Sequence, residues 1–317
     1  MKSSLRISVS ATIAIVALLV FSGGCSSDAD EALRAAAPAD VGELELVPGE
    51  DPEQLASAEA PTGWQPTDDP LDEALPMPWP EGYKQPFAPW YYVRNAALLC
   101  AWQRDNPPSE NAERIAEELF DRMLEFTKVV DGARFVVYKF EHNYEGVTIP
   151  RGWTSGLGNG SVIAGTVMLH ECWPDSRYLD TAWELAAAYG VEGPREDLWF
   201  ARETPEGFRW YEEVPQTESM ILNGHIHAVT GLYYLWDRHD RDPTLEDAIL
   251  RGAESVLAYL PAFRRPGQIN CYDLTPPCHD DYGPARTVKQ QAALFEITGD
   301  ARFETWQRRF ADDMGDR

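Results

Sequence analysis

The chain has 317 residues, of which 52 are Asp or Glu and 27 are Lys or Arg, so its formal net charge at neutral pH is −25. Because so negative a chain repels DNA and RNA, we exclude nucleic acid as a partner, and any anionic ligand needs a local basic pocket. The sequence contains no phosphate-binding loop, nucleophile elbow, dinucleotide fingerprint or zinc-type histidine cluster. We therefore predict neither a cofactor nor a metal.

The first 25 residues have the composition of an export signal. Lys2 and Arg6 give a positive start, and the apolar stretch that follows is shorter than a typical membrane span. The segment SGGC, which ends at Cys25, resembles the lipobox of bacterial lipoproteins, in which the cysteine becomes the lipid-bearing first residue. We predict a lipoprotein signal peptide that leaves the protein lipid-anchored to a membrane of the bacterial cell envelope. An ordinary secretory signal and a single membrane anchor are the alternatives.

Two further regions follow the signal. Residues 26–85 are rich in Ala, Asp, Glu and Pro and contain few large apolar side chains. Such a stretch cannot bury enough surface to offset its chain entropy, so we predict an acidic disordered tether. Residues 86–317 contain most of the aromatic side chains and are numerous enough for one domain with a sizeable core.

Helical periodicity dominates this domain, and the helical segments come in pairs. Residues 89–105 are followed by 110–129, where Ile115, Leu119, Met123 and Phe126 recur at spacings of three and four. The later predicted helices cover 155–173, 176–191, 221–239, 243–263, 285–299 and 300–313. Alternating residues at 135–150 predict short strands, and Pro205 and Gly207 indicate a hairpin. We predict an all-α fold, an α/α barrel or toroid of about four helical hairpins with short β excursions at its mouth.

Four cysteines follow Cys25. Disulfides can form in an exported protein because the compartments outside the cytoplasm are oxidising. Cys271 and Cys278 bracket a short loop and are the predicted pair. Two unpaired thiols are the alternative, because the sequence does not reveal connectivity.

Three stretches, 152–160, 210–224 and 270–290, directly precede or open helices that line the predicted mouth. Their motifs GW-x-S, WYEE-x-P…LNG and YDL…DY occur in the same order as in the C-terminal helical domain of the D-glucuronyl C5-epimerases, which invert uronic acids in heparan-type chains. The chain resembles that domain over about Phe135 to Phe310. Three features differ: Val214 replaces the family's tyrosine in EEYP, Asn159 stands where the family usually has Gln, and GPART (283–287) stands in place of the histidines that follow the DY tyrosine in the animal enzymes.

The resemblance implies a reaction that removes the C5 hydrogen beside a carboxylate and returns a proton to the opposite face. Such a carbanion needs two proton carriers and donors that neutralise developing charge. The resemblance implies Tyr272 and Tyr282 as the carriers and Glu213 as a supporting carboxylate. We expect nearby donors to lower the pKa of a catalytic tyrosine.

The same stretches supply candidate groups for holding the sugar: Trp153, Ser155, Asn159, Tyr211, Asn223 and Arg286. Arg286 at a helix start would hold a carboxylate, or else pair with a surface carboxylate. Asn223 would bind the ligand or cap a helix turn.

Other candidate bases are His225, His227 and His279. A core or solvent-facing position is favoured for the first two, and an ordinary loop position is an equal alternative for His279. His225 and His227 are two positions apart on a helix, so at most one is expected to reach the mouth. Tyr138 and Tyr144 could also face it, but ordinary strand positions are favoured for them.

Three functions remain open at this point. The first is a uronate C5-epimerase acting on a uronic-acid-containing polysaccharide, and the second is a polysaccharide lyase that uses the same carbanion. The third is a non-catalytic glycan-binding lipoprotein, which the replacement at Val214 favours. Their expected partners are the polysaccharide and a membrane, reached through the N-terminal lipid.

Overall fold

Eight α-helices dominate the part of the chain that the computed structural model describes, residues 43–48, 88–104, 106–191, 193 and 197–315. The helices follow one another in four pairs whose members pack side by side. In chain order they are α1 (Trp90–Arg104), α2 (Glu110–Leu124), α3 (Gly156–Cys172), α4 (Ser176–Ala187), α5 (Leu222–Arg238), α6 (Pro243–Phe263), α7 (Pro284–Thr298) and α8 (Ala301–Met314).

The first helix of each pair belongs to one inner row. Helix α3 packs against α1 and α5, and α5 packs against α7. Helix α1 is buried on all sides, whereas α2 buries only one stripe that includes Ile115, Leu119 and Met123. This difference is expected between an interior helix and an amphipathic one that covers it.

Helices α3 and α5 approach closely because both have glycine at the contact. A Cβ atom on Gly231 would lie 2.2 Å from the carbonyl oxygen of Gly160, and a Cβ on Gly160 would lie 2.6 Å from the carbonyl oxygen of His227. No ordinary side-chain movement relieves such an overlap, since the atoms on the facing side belong to the backbone.

Gly231→Ala is therefore expected to lower the free energy of unfolding by about 1–3 kcal/mol, even though alanine is the better helix former. Denaturant unfolding of the purified domain measures this change. The matched control is Gly190→Ala, where an added Cβ meets nothing within 4 Å. Equal stabilities of the two variants would contradict the proposed contact.

The predicted all-α class is wrong, because seven short strands form three small antiparallel sheets among the described residues. The first sheet has the order β1 (Thr127–Val130), β2 (Ala133–Tyr138) and β5 (Trp153–Thr154). The others pair β3 (His142–Tyr144) with β4 (Val147–Ile149), and β6 (Ala201–Glu203) with β7 (Arg209–Tyr211). Helices dominate, but the strands are part of the fold class.

Local sequence explains the two hairpins nearest α3. Asp131 and Gly132 join β1 to β2, and Glu145 and Gly146 join β3 to β4, each with positive φ at both positions. Two-residue turns of this kind match the twist of paired strands, and glycine at the second position adopts positive φ without steric cost. These turns fix the strands beside the inner helices.

Two disulfides cross-link the described chain. Cys100 pairs with Cys172, which joins the ends of α1 and α3, and Cys271 pairs with Cys278 as the short loop between them suggests. The first pair joins residues 72 positions apart. Its partners are brought together only by the packing of the two helices.

The segment 43–48 lies against the helical domain. The amide of Val47 donates to the carbonyl of Ile297 at 2.8 Å, and the hydroxyl of Tyr233 donates to the carbonyl of Val47 at 2.7 Å. Leu44 is buried. These six residues fall within the predicted tether, while the rest of that stretch and the predicted signal with Cys25 lie outside the described residues. Among the helices that are described, none has both the length and the apolar character needed to cross a bilayer.

Candidate active site

The three stretches that precede α3, α5 and α7 meet in one layer, tied by backbone hydrogen bonds. The amide of Gly156, at the start of α3, donates to the carbonyl of Glu212 at 2.8 Å. The amide of Leu222, at the start of α5, donates to the carbonyl of Tyr272 at 3.2 Å. The starts of these inner helices are therefore at the same end of the domain, where the side chains of all three stretches converge.

Tyr272 and Tyr282, on the stretch before α7, form a stack with Arg286, which is in the first turn of α7. The rings of Tyr272 and Tyr282 have centroids 5.1 Å apart, and the guanidinium of Arg286 lies 4.5 Å from the centroid of the Tyr282 ring. Tyr282 is 44% exposed, whereas Tyr272 is partly buried. Tyr282 is thus the more accessible of the two tyrosines.

Glu213 points toward this stack from the stretch before α5. Burial raises the pKa of its carboxyl to about 7, although the cation of Arg286 and the hydroxyl of Tyr272 oppose the rise. Its Oε2 atom is buried and has no hydrogen-bond partner among the described residues. A Cβ on Gly224 would lie 2.5 Å from that oxygen, so glycine at this position leaves room for the carboxyl.

Both tyrosines have raised pKa values, contrary to the expected lowering. Burial is the main cause, and Glu213 raises the pKa further in each case. Arg286 opposes the rise at both phenols but does not reverse it. Near neutral pH the two tyrosines are therefore protonated and suited to donate a proton, while Glu213 is divided between acid and carboxylate.

Arg286 pairs with a buried carboxylate and not with a surface carboxylate. Its Nη2 lies 2.9 Å from Oδ1 of Asp281, and both side chains are almost completely buried. Asp281 also accepts hydrogen bonds from the amide of Gly283 and from the side chains of Thr287 and Asn270. The guanidinium is fixed in place over Tyr282, and its charge is largely balanced by Asp281.

Several predicted sugar-binding groups are already used by the fold. The amide of Asn159 bonds to the backbone of Val136, Arg134 and Leu185. The hydroxyl of Tyr211 donates to the carbonyl of Ala248 at 2.7 Å, and the Tyr211 side chain is fully buried. The structure does not bring these two side chains to the open part of the site.

The other three candidates, Trp153, Ser155 and Asn223, are buried at the end of the domain where the three stretches meet. Ser155 caps α3 by accepting from the amide of Gly158 at 3.3 Å. Trp153 stacks on Tyr138 with centroids 3.9 Å apart and is mostly covered. Asn223 has a buried side-chain oxygen with no partner among the described residues, which leaves it able to accept a bond from a ligand.

The two histidines of α5 differ in environment. The Nδ1 atom of His225 accepts from the amide of Tyr211 at 2.9 Å, and its Nε2 donates to the carbonyl of Gly252 at 2.9 Å. Burial lowers the pKa of each to about 4, and the cation of Arg286 contributes at His227. His227 is partly exposed, so of the two it is the one near the site.

A bonded cluster beside Tyr272 was not foreseen from the sequence. The ring nitrogens of His279 each lie 2.9 Å from a carboxylate oxygen, one on Asp273 and one on Glu145, and the hydroxyl of Tyr144 donates to Asp273. This ties the β3–β4 turn to the loop that carries Tyr272. The ligand atoms of Glu145, Asp273 and His279 lie within 4.8 Å of one another, which would also suit a metal ion. The contacts of His279 with both carboxylates already pair these three groups.

A near-neutral carboxyl beside two protonated phenols and a fixed guanidinium supplies the kinds of group that acid–base chemistry uses, at the end of the domain where the inner helices start. A profile of the family described as D-glucuronyl C5-epimerase C-terminus matches residues 131–312, more than half of the chain. The chain belongs to that family, as the sequence motifs predicted. A search of curated proteins finds no match.

Proposed function

We propose that this protein epimerises uronic-acid residues of a polysaccharide by removing the C5 proton and returning a proton to the opposite face. The observation that supports this most strongly is the position of Glu213 beside the Tyr272–Tyr282 pair. Epimerisation at C5 needs one base and one acid that both reach the same carbon atom. Glu213 can serve as the base and the neighbouring tyrosines as the acid.

In the first step, the ionised Glu213 takes the C5 proton as general base. The bonding electrons move into the adjacent carboxylate of the sugar, which becomes enediolate-like and gains negative charge. The protonated phenols of Tyr272 and Tyr282 donate toward that charge, where buried donors are more effective than water. The sequence assigned Glu213 only a supporting role, and its pKa of about 7 favours that of base.

In the second step, Tyr282 gives its phenolic proton to C5 from the opposite face, and the configuration is inverted. The phenolate that results lies beside the Arg286 cation, which stabilises it. Glu213 now carries the proton taken from the sugar, and Tyr272 lies between the two groups. Tyr272 can pass a proton from Glu213 to Tyr282, and the exposed Tyr282 exchanges its phenolic proton with water. The site returns to its starting state with no net gain or loss of protons, and the hydrogen taken from C5 is released to solvent.

A non-catalytic glycan-binding role is the second candidate, and Val214 is the feature that favours it. Val214 is 2% exposed and cannot carry a proton, whereas the family has tyrosine at this position. The proposed mechanism does not need that tyrosine, because Glu213 and Tyr282 complete the transfer.

Incubation of the purified protein with glucuronan or heparosan in heavy water separates the candidates. Inverted sugars with deuterium at C5 are the expected products. Unsaturated products would mean that the carbanion expels the C4 oxygen and that the enzyme is a lyase. Measurable binding with neither product would contradict catalysis and leave the glycan-binding role.

We also propose that the chain is exported and lipid-anchored through Cys25. The expected result is that Cys25→Ser releases the protein from the membrane fraction of cells that express the full chain. Membrane association that persists in this variant would contradict the lipid anchor.

A further inference from the structure

Arg94, on α1, is a buried cation without an anionic partner among the described residues. It is 8% exposed, its Nε atom has no hydrogen-bond partner, and its guanidinium lies over two aromatic rings, 4.2 Å from the centroid of Tyr91 and 5.5 Å from that of Trp90. It lies outside the range 131–312 that the family profile matches. Nothing in the family match therefore assigns it a role.

The other deeply buried arginines of the described chain each have a carboxylate. Arg238 pairs with Glu171 at 2.8 Å, and Arg286 with Asp281 at 2.9 Å. An unpaired buried cation is costly, and cation–π contact recovers only part of the lost hydration. Consistent with this, burial lowers the pKa of Arg94 to about 10, with only Tyr91 opposing the shift. An anionic ligand would supply the missing charge.

The position of Arg94 connects it to the acid–base site through two tyrosines. Tyr91, which contacts the guanidinium, also lies close enough to Tyr138 to raise the pKa of that phenol, and so does Glu213. The Tyr138 hydroxyl lies against the first turn of α3, at the mouth. Arg94 is thus on the side of the site toward α1, separated from Glu213 by Tyr138 and Tyr91.

We infer that Arg94 binds a carboxylate on a sugar that neighbours the one held at Glu213. This inference rests on the proposed function, because it takes the ligand to be a polymer of uronic acids. The guanidinium fork matches the geometry of a carboxylate, and the partly exposed Trp90 offers an aromatic surface for the ring of that sugar. The site would then favour chains in which adjacent sugars are both acidic.

The test compares oligoglucuronates with oligomers of the same length in which the flanking carboxylates are reduced to alcohols. The parent protein is expected to bind the fully charged oligomer about 10- to 100-fold more tightly, the range typical for losing a charge-assisted hydrogen bond. Arg94→Met should abolish this preference. Arg104→Met is the matched control. Arg104 is the last residue of the same helix, is exposed, and is paired with Glu171.

Three results would overturn the inference. One is a parent protein that does not distinguish the two oligomers, a comparison that remains decisive if Arg94→Met does not fold. Another is a folded Arg94→Met variant that keeps the preference. The last is equal binding of a carboxyl-reduced but sulfated oligomer, which would assign the site to sulfate instead.

The outcome is separable from that of the proposed function. If the parent shows no C5 exchange but Arg94-dependent binding persists, the chemistry fails and the carboxylate site stands. If C5 exchange occurs and binding is independent of Arg94, the chemistry stands and only the role of Arg94 is lost.

Discussion

Tyr282→Phe is expected to lower the rate of C5 epimerisation by about a hundred- to ten-thousand-fold while leaving polysaccharide affinity nearly unchanged. The substitution removes only the hydroxyl that returns the proton. Because Tyr282 is 44% exposed, the loss of its hydroxyl creates no cavity in the core. Turnover and binding isotherms of the two proteins, measured on the same polysaccharide, give the comparison.

Tyr259→Phe provides the control for this substitution. Tyr259 is on α6, and its hydroxyl donates to the carboxylate of Glu206 in the turn between β6 and β7. Neither residue belongs to the proposed site. The control variant should turn over at the parental rate. If Tyr282→Phe also keeps parental turnover, Tyr282 has no part in the proton transfer.

Glu213→Gln is expected to reduce turnover by a similar factor, because glutamine cannot accept the C5 proton. The parent should show an acidic limb in kcat/KM that is half-maximal near pH 7, the pKa of the carboxyl, and levels off about one pH unit above it. Any residual activity of the variant should lack that limb. A limb that persists in Glu213→Gln would assign the ionisation to another group.

The adjacent Glu212 is a stringent control for the loss of Glu213. Burial also raises the pKa of Glu212 to about 7, but its carboxylate bonds to Arg202 at 2.8 Å and to the amide of Met220 at 3.2 Å. Glu212→Gln should therefore destabilise the fold and keep both the chemistry and the acidic limb. Loss of turnover in a folded Glu212→Gln variant would contradict the assignment of the base to Glu213.

The carboxyl of Glu213 also makes the stability of the fold depend on pH. The pKa of Glu213 is higher in the folded protein than in the unfolded chain, so the folded state holds this proton more firmly. Its contribution to stability is fully present at pH values below the unfolded pKa and is lost as the pH rises through about 7. Glu213→Gln removes this loss, so relative to the parent the variant should gain stability between about pH 5 and pH 8.

Local sequence patterns predicted where the helices begin, but the second one ends at Leu124 and not at 129, because Thr127–Val130 form strand β1. The stripe of Ile115, Leu119 and Met123 marked α2, and Gly299, which has positive φ, ends α7 where the pattern suggested. The spacing of His225 and His227 also led to a sound conclusion, since one is fixed in the core and the other is partly exposed near the site. Periodicity and spacing are local properties, and a single sequence carries them.

Tertiary contacts were the part that the sequence could not provide. Asn159 stands in a motif at the mouth, yet its amide bonds to three backbone groups from other elements. The all-α expectation failed because single short strands such as Trp153–Thr154 acquire their identity only from pairing with β2. The raised tyrosine pKa values likewise depend on burial, which the positions of cationic residues in the sequence do not reveal.

The most direct measurement uses a uronate polymer that carries deuterium at C5 and follows its release into water. Removal of that hydrogen by Glu213 predicts that deuterium leaves C5 at the rate of turnover, with a primary isotope effect, and that the release disappears in Glu213→Gln. A parent protein that binds the polymer but releases no deuterium would contradict proton abstraction at C5.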